Sequence, residues 1–177
     1  MTIRSLMAFA ALPTAVFLAA CSPKYNWRDY ASPDAAYRVL FPAKPASFTR
    51  DVDLDGMHVT MTMTAAEIDG ATFAVGSAQA PDAAHAQAAV EAMQQALLRN
   101  IGAKSELQAA SASATSAGSS RTSSDVDATG TANGQPMRLA GHFESRGKRF
   151  YQVIVMGKPQ AMPQDQVDQF LTSFKPQ

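Results

Sequence analysis

The chain reads as α+β: antiparallel β-meanders with two packing helices. Three observations carry that reading. Between residues 37 and 79, four runs alternate apolar and polar residues and are separated by short turn signals. One long apolar stripe on a 3.6-residue period follows. Three more alternating runs then lead into a short amphipathic C-terminal segment. Runs of strands separated by single helices favour α+β over a doubly wound parallel sheet.

Taken in order, Tyr37-Arg38-Val39-Leu40-Phe41-Pro42 puts Tyr37, Val39 and Phe41 on one face, and Pro42 ends the run. Phe48 to Leu54 is a second strand, closed by Asp55-Gly56, a strong two-residue hairpin signal. Met57 to Glu67 sets Met57, Val59, Met61 and Met63 against His58, Thr60, Thr62 and Thr64. Asp69-Gly70 marks the next turn, and Thr72 to Gln79 completes a four-stranded meander. Pro81-Asp82 opens a helix whose stripe is Ala86, Val90, Met93, Leu97 and Ile101, widened by Ala89 and Ala96. Asn100 and Gly102 supply its stop.

Ala103 to Leu107 is a short strand candidate. Residues 109–124, dominated by Ala, Ser and Thr, have little to bury and read mainly as a flexible loop or a weak edge. Asp125 to Ala132, Met137 to Ser145 and Arg149 to Met156 are strands, with turns at Asn133-Gly134 and Arg146-Gly147. Pro163 lies near the start of a last helix that carries Val167, Phe170, Leu171 and Phe174. Four strands, a helix, three or four strands and a helix have the outline of a duplication, without sequence identity between the halves to support a repeat.

The N-terminus has a different character. Arg4 precedes an apolar run from Leu6 that ends in Leu18-Ala19-Ala20-Cys21, the layout of a secretory signal. The run is shorter than the ~20 apolar residues of a membrane span and contains Pro13. Cys21 is the sole cysteine, so no internal disulfide can form. Leu-Ala-Ala-Cys resembles the lipobox of bacterial lipoprotein signals. That resemblance implies cleavage between Ala20 and Cys21, a diacylglycerol on the Cys21 sulfur and an acylated amine. Several chains, each contributing about 0.8 kcal/mol per buried methylene, anchor a protein effectively permanently. Ser22 rather than Asp after the cysteine implies, by the same resemblance, the periplasmic face of the outer membrane.

The expected organisation is therefore a signal peptide over 1–20, a lipidated tether over 21–34 and one α+β domain over 35–177. The tether holds Tyr25, Trp27 and Tyr30, whose expected place is the domain edge or the lipid interface, with a partner surface at Trp27 the less favoured reading. Loss of residues 1–20 removes Arg4 alone among the charged residues. Fourteen Lys and Arg then face 15 Asp and Glu, a balance that suggests no nucleic-acid partner.

Two features, Tyr-Arg-Val-Leu-Phe-Pro at 37–42 and Phe170-Leu171-Thr172-Ser173-Phe174 near the end, together with the element order, resemble the PsbP-like superfamily of α-β-α sandwich domains. Cys-Ser-Pro-Lys-Tyr-x-Trp-Arg at 21–28 is similar to the start of short proteobacterial envelope lipoproteins of unassigned role. The first resemblance covers residues 35–177 in outline and implies a mostly non-catalytic domain that docks onto a larger assembly. It carries over no site residue.

Candidate chemistry is sparse. There is no Gly-x-Ser-x-Gly elbow, phosphate loop or His-Glu-x-x-His motif, so no catalytic residue, metal or cofactor is assigned. Met57, Met61 and Met63 with His58 suit Cu(I) by softness, yet alternation points His58 away from the sulfurs, and core packing is the favoured reading. Arg138, His142, Glu144 and Arg146 share one strand face, which could meet His58 as an acid–base or metal site. A solvated or docking face is the favoured reading there too, and an exposed position is expected for His85. The expectation is a lipid-anchored, non-catalytic binding or accessory protein with the membrane and an envelope protein as partners. The alternatives are a hydrolase-like enzyme using His142 and Glu144, and a Met-based copper protein.

Overall fold

The computed structural model describes residues 24–103, 112–116 and 119–177. The chain forms an α+β fold in which a seven-stranded antiparallel sheet carries a helix on each face. Its strands are β3 (Ala46–Leu54), β4 (Met57–Ile68), β5 (Ala71–Gln79), β6 (Ala112–Ser116), β7 (Ser119–Ala132), β8 (Gln135–Arg146) and β9 (Arg149–Gly157). They lie in the order β3-β4-β5-β9-β8-β7-β6, so two meanders meet at the β5–β9 pair. A small sheet of β1 (Arg28–Ala31), β2 (Tyr37–Phe41) and β10 (Lys175–Pro176) has the order β1-β2-β10.

The turns follow from their residues. Asp55, Asp69 and Asn133 adopt positive φ, each followed by a glycine that does the same. Two successive positive φ angles twist a two-residue loop in the sense of its flanking strands, and Asp-Gly and Asn-Gly reach them at least cost. These three turns fix the β3–β4, β4–β5 and β7–β8 registers.

Alternation then divides the sheet between two cores. One face of β4, β5, β8 and β9 presents Met61, Met63, Ala74, Leu139, Phe143, Phe150 and Ile154 to helix α1 (Ala83–Asn100). The opposite face presents Phe73, Val75, Ala140, Tyr151, Val153 and Val155 to helix α2 (Gln164–Ser173) and the small sheet. In α1 the buried residues are Ala86, Ala89, Val90, Met93, Gln94 and Leu98, with Ile101 just past its end. Leu97 and Ala96 are half-buried. The expected stripe is thus rotated toward Gln94, which meets Ser124 of β7 at 3.4 Å. The helix starts where Asp82 accepts a hydrogen bond from the His85 amide, satisfying one free N–H of its first turn.

Two expectations are revised. Residues 24–34 are part of the domain: β1 pairs with β2, Trp27 meets the Phe73 ring edge-on at 6.3 Å, and Tyr25 stacks on Trp27. The aromatics gain more by covering the open end of the α2-side core than by remaining solvated. Residues 112–116 and 119–123 pair as the β6–β7 hairpin at one edge of the sheet. Poor burial made that segment read as a loop or a weak edge; it is the edge, because ladder hydrogen bonds to β8 recruit β7 irrespective of its side chains. The strand proposed over residues 103–107 falls almost wholly outside the described residues.

The last residues are pinned as well. Phe174 packs against Tyr37 and Tyr151, the Gln177 amide donates to the Ala36 carbonyl, and β10 pairs with β2.

Candidate functional site

Strands β7 and β8 pair with Arg121 opposite Arg146, Asp125 opposite His142 and Asp127 opposite Ala140. Odd residues of β7 and even residues of β8 therefore share the face turned toward α2, while Val126, Ala128, Leu139 and Phe143 serve the α1 side. Helix α2 packs on β2, β8 and β9. Beyond its edge the polar face of β7 and β8 opens into a cleft of about 800 Å³. The facing wall consists of Gln164, Asp168, Leu171 and Thr172 of α2, followed by Phe174 and Lys175.

Glu144 is the buried centre of this cleft, with a side chain only 1% exposed. Its Oε1 accepts a hydrogen bond from Arg146 Nε and forms an ion pair with Arg121 Nε at 2.9 Å, and its Oε2 lies 3.3 Å from His142 Nε2. The other ring nitrogen of His142, Nδ1, lies 2.6 Å from Asp125 Oδ1. An ionised carboxylate only accepts, so an imidazole with a carboxylate at each nitrogen satisfies both only as the imidazolium, and the arrangement favours that form. Burial opposes that charge, but the hydrogen bonds to Glu144 and Asp125 outweigh it and raise the His142 pKa above its ordinary 6.5. Burial likewise opposes ionisation of Glu144, and the contacts with His142, Arg146 and Arg121 outweigh it, leaving its pKa below the ordinary 4.5.

Arg138 forms a second group at one end of the cleft. Its guanidinium takes Asp127 in a bidentate pair at 2.9 and 2.5 Å and reaches Gln164 Oε1 of α2 at 2.6 Å. The hydrogen bonds to Asp127 overcome desolvation and raise its pKa further. This fork ties α2 to β7 and β8.

Of the residues singled out in the sequence, His142, Glu144 and Arg146 come together, and Arg138 stands nearby on the same face. His58 does not join them. It sits on β4, which β5 and β9 separate from β8, is 80% exposed, and has Asp53 at 4.0 Å. The convergence of two histidines on one site is corrected by that sheet order. Met61 and Met63 are buried on the α1 side, and Met63 Sδ accepts from Gln152 Nε2 at 3.4 Å. His58 belongs to the other face, so these methionines fill the core. His85 is exposed and pairs with Asp82 at 2.8 Å. Ala20, Cys21 and Ser22 lie outside the described residues.

Sequence reasoning missed Arg121, Asp125 and the α2 wall. The available signal was alternation: Arg121, Ser123, Asp125 and Asp127 are spaced by two, against Val126 and Ala128 on the other face. Among the described residues, no group of three or more His, Cys, Asp or Glu side chains is arranged to hold a metal ion. No helix among them is long and apolar enough to cross a membrane. No protein-family model matches this chain, and a search of curated proteins finds no match either.

The arrangement is equipped to recognise, and poorly equipped to abstract protons. A general base needs a free lone pair, whereas both nitrogens of His142 face carboxylates. Thr172, a hydroxyl on the cleft wall, donates to the Asp168 carbonyl of its own helix at 2.6 Å.

Proposed function

We propose that this chain is a lipid-anchored cell-envelope protein acting as a non-catalytic binding or accessory subunit, with the cleft between β7, β8 and α2 as its recognition surface. The observation that carries the proposal is His142 held between Asp125 and Glu144 within an open polar cleft. Charged donors fixed in place by a buried carboxylate suit binding, because their orientation is settled before the ligand arrives.

The anchor in this reading is Cys21, following Leu18-Ala19-Ala20. Lys24 pairs with Asp69 at 2.7 Å and the Asn26 amide donates to the Pro42 carbonyl, so the chain is tied to the domain from Lys24 onward. Two residues, Ser22 and Pro23, lie between Cys21 and Lys24, and those three Cα steps reach at most about 11 Å. The domain would stand close against the membrane, on the periplasmic face of the outer membrane, with an envelope protein as its partner. The PsbP-like outline of the sequence supports the same docking role.

The approach of His142 to Glu144, at 3.3 Å inside the cleft, favours a second reading as an envelope hydrolase. The clamped imidazolium weighs against it.

Two experiments test the proposal. Labelled palmitate should enter the wild type and not Cys21→Ala, which should also leave the membrane fraction. Uptake and fractionation unchanged in the variant would refute the anchor. A photo-crosslinking residue at Thr172 should trap a defined partner or ligand in intact cells, whereas one at Gln87, exposed on α1, should not. Identical patterns from both positions, or none, would refute the cleft as the recognition surface.

A further inference from the structure

Charge along the cleft is unevenly placed: with His142 charged, four positive groups line it against four carboxylates, and one of these, Asp127, is taken by Arg138 from outside the lining. Arg121 and Arg146 stand directly opposite each other across the β7–β8 ladder, a placement in which like charges repel. Glu144 lies against both and, with one negative charge, balances one of them. The remaining charges pair off: His142 with Asp125, and Arg138 with Asp127. On the α2 wall, Lys175 and Asp168 contribute one of each sign. One positive charge remains, and it resides at the Arg121–Arg146 pair.

The donors of that pair are also only partly used. A guanidinium carries five N–H donors, and each of these is held to Glu144 through Nε. The terminal Nη groups make no hydrogen bond among the described residues. Both side chains remain accessible, Arg121 at 48% and Arg146 at 36%. Buried Glu144 thus acts as a buttress that orients two guanidiniums while leaving their outer edges free.

We propose that the Arg121–Arg146 pair, buttressed by Glu144, recognises the free carboxylate at the C-terminus of a peptide, with the preceding residues lying along the cleft. This deepens the reading of the cleft as a binding surface and rests on it. A single excess charge matches a monoanion better than a phosphate dianion, which the carboxylates of Asp125 and Glu144 would repel. A planar carboxylate also fits the fork of a guanidinium in two parallel hydrogen bonds. At about 800 Å³ the cleft is far larger than one carboxylate and lies in the range of sites for whole small ligands. Leu171 with Phe174 offers an apolar wall for a side chain.

The test uses the full lipidated chain in detergent micelles and a pool of N-acetyl tripeptides, prepared once as free acids and once as C-terminal amides. Binding is read from the Nε–Hε resonances of Arg121 and Arg146. The acid pool should shift both resonances and bind about tenfold or more tightly than the amide pool, the loss expected when a charge-assisted hydrogen bond is removed. Arg121→Ala and Arg146→Ala should each abolish that preference, and Arg121→Lys should restore part of it. Arg121 is half-exposed, so its alanine variant keeps the test valid even where Arg146→Ala unfolds the domain.

Equal binding of acid and amide, no binding of either, or displacement of the acid pool by an equal concentration of inorganic phosphate would each overturn the proposal. Converting the C-terminal carboxylate of any partner trapped through Thr172 to a primary amide should abolish its capture if the carboxylate comes from that partner. Capture of a partner's tail or of a free peptide through its carboxylate supports the proposal and tells the two sources apart. A partner trapped through the cleft that binds equally well as its C-terminal amide would overturn this inference while leaving the cleft as the recognition surface.

Discussion

Replacing Glu144 with glutamine removes the charge at the centre of the cleft while keeping its shape. Wild-type Glu144 takes two charge-assisted hydrogen bonds, from Arg146 Nε and His142 Nε2, and a third charged contact, the ion pair with Arg121 Nε at 2.9 Å. A hydrogen bond to a charged group contributes about 1.5–3 kcal/mol against about 1 kcal/mol for a neutral one. Removing the charge from all three would approach the ~3–5 kcal/mol lost when a buried charge is left unpaired. Arg121 and Arg146 are 48% and 36% exposed, however, and rehydrate when released. We therefore expect a loss of about 2–3 kcal/mol at pH 7, which for a domain of this size lowers Tm by roughly 5–10 °C.

The pH dependence gives the prediction its sign. The folded pKa of Glu144 lies below its ordinary 4.5, so the stabilisation is present above that value and lost as the pH falls through the folded pKa. Glutamine resembles the protonated acid at every pH. Thermal melts followed by circular dichroism should show the full gap between wild type and Glu144→Gln near neutrality, closing on acidification. Equal melting temperatures at pH 7, or a gap that widens toward low pH, would refute the view of Glu144 as an ionised buttress.

Other consequences follow from the packing and the remaining charges. Phe170 is fully buried between Phe41 and Phe73, each 5.4 Å away between ring centres, so Phe170→Ala should cost about 3–5 kcal/mol in urea unfolding. The His142 imidazole should titrate above 6.5 by NMR, and Asp125→Asn should bring it down. Because that pKa is raised by folding, the stabilisation from charged His142 is complete below about 6.5 and lost as the pH rises through the folded value, a dependence His142→Ala should flatten. At Gly130 of β7 an added Cβ would lie 2.0 Å from the Ile101 carbonyl oxygen and 2.8 Å from the Ala103 nitrogen. Both obstacles are backbone, so Gly130→Ala should destabilise by about 1–3 kcal/mol or more and weaken hydrogen-exchange protection at the C-terminal end of α1.

How far each part could be read in advance depended on whether its signal was local. The β2 and β4 strands carry alternation in their own residues, and Asp55-Gly56, Asp69-Gly70 and Asn133-Gly134 carry the backbone freedom their turns require. Strand β1 has four residues and only Tyr30 half-buried, too little pattern to announce itself. It forms because β2 offers an unpaired edge. Strand β7 is rich in Ser, Thr and Asp and is held by its long ladder with β8 rather than by apolar burial. The same obscurity hid Arg121 and Asp125, the two β7 residues that complete the charge cluster around His142 and Glu144.

What the amino-acid sequence determined by itself were the elements whose periodicity lies within a single segment, the α+β class that follows from their order, and the shared strand face of Arg138, His142, Glu144 and Arg146. These depend on neighbours two to four residues apart, within reach of covalent geometry and rotamer preference. Only the tertiary structure decided which charges meet. The β7–β8 register sets Arg121 opposite Arg146, the position of α2 leaves that face open, and the order of strands keeps His58 away. Those outcomes arise from pairing and packing between segments distant in the chain, where one residue of slip would turn the whole charged set to the other face.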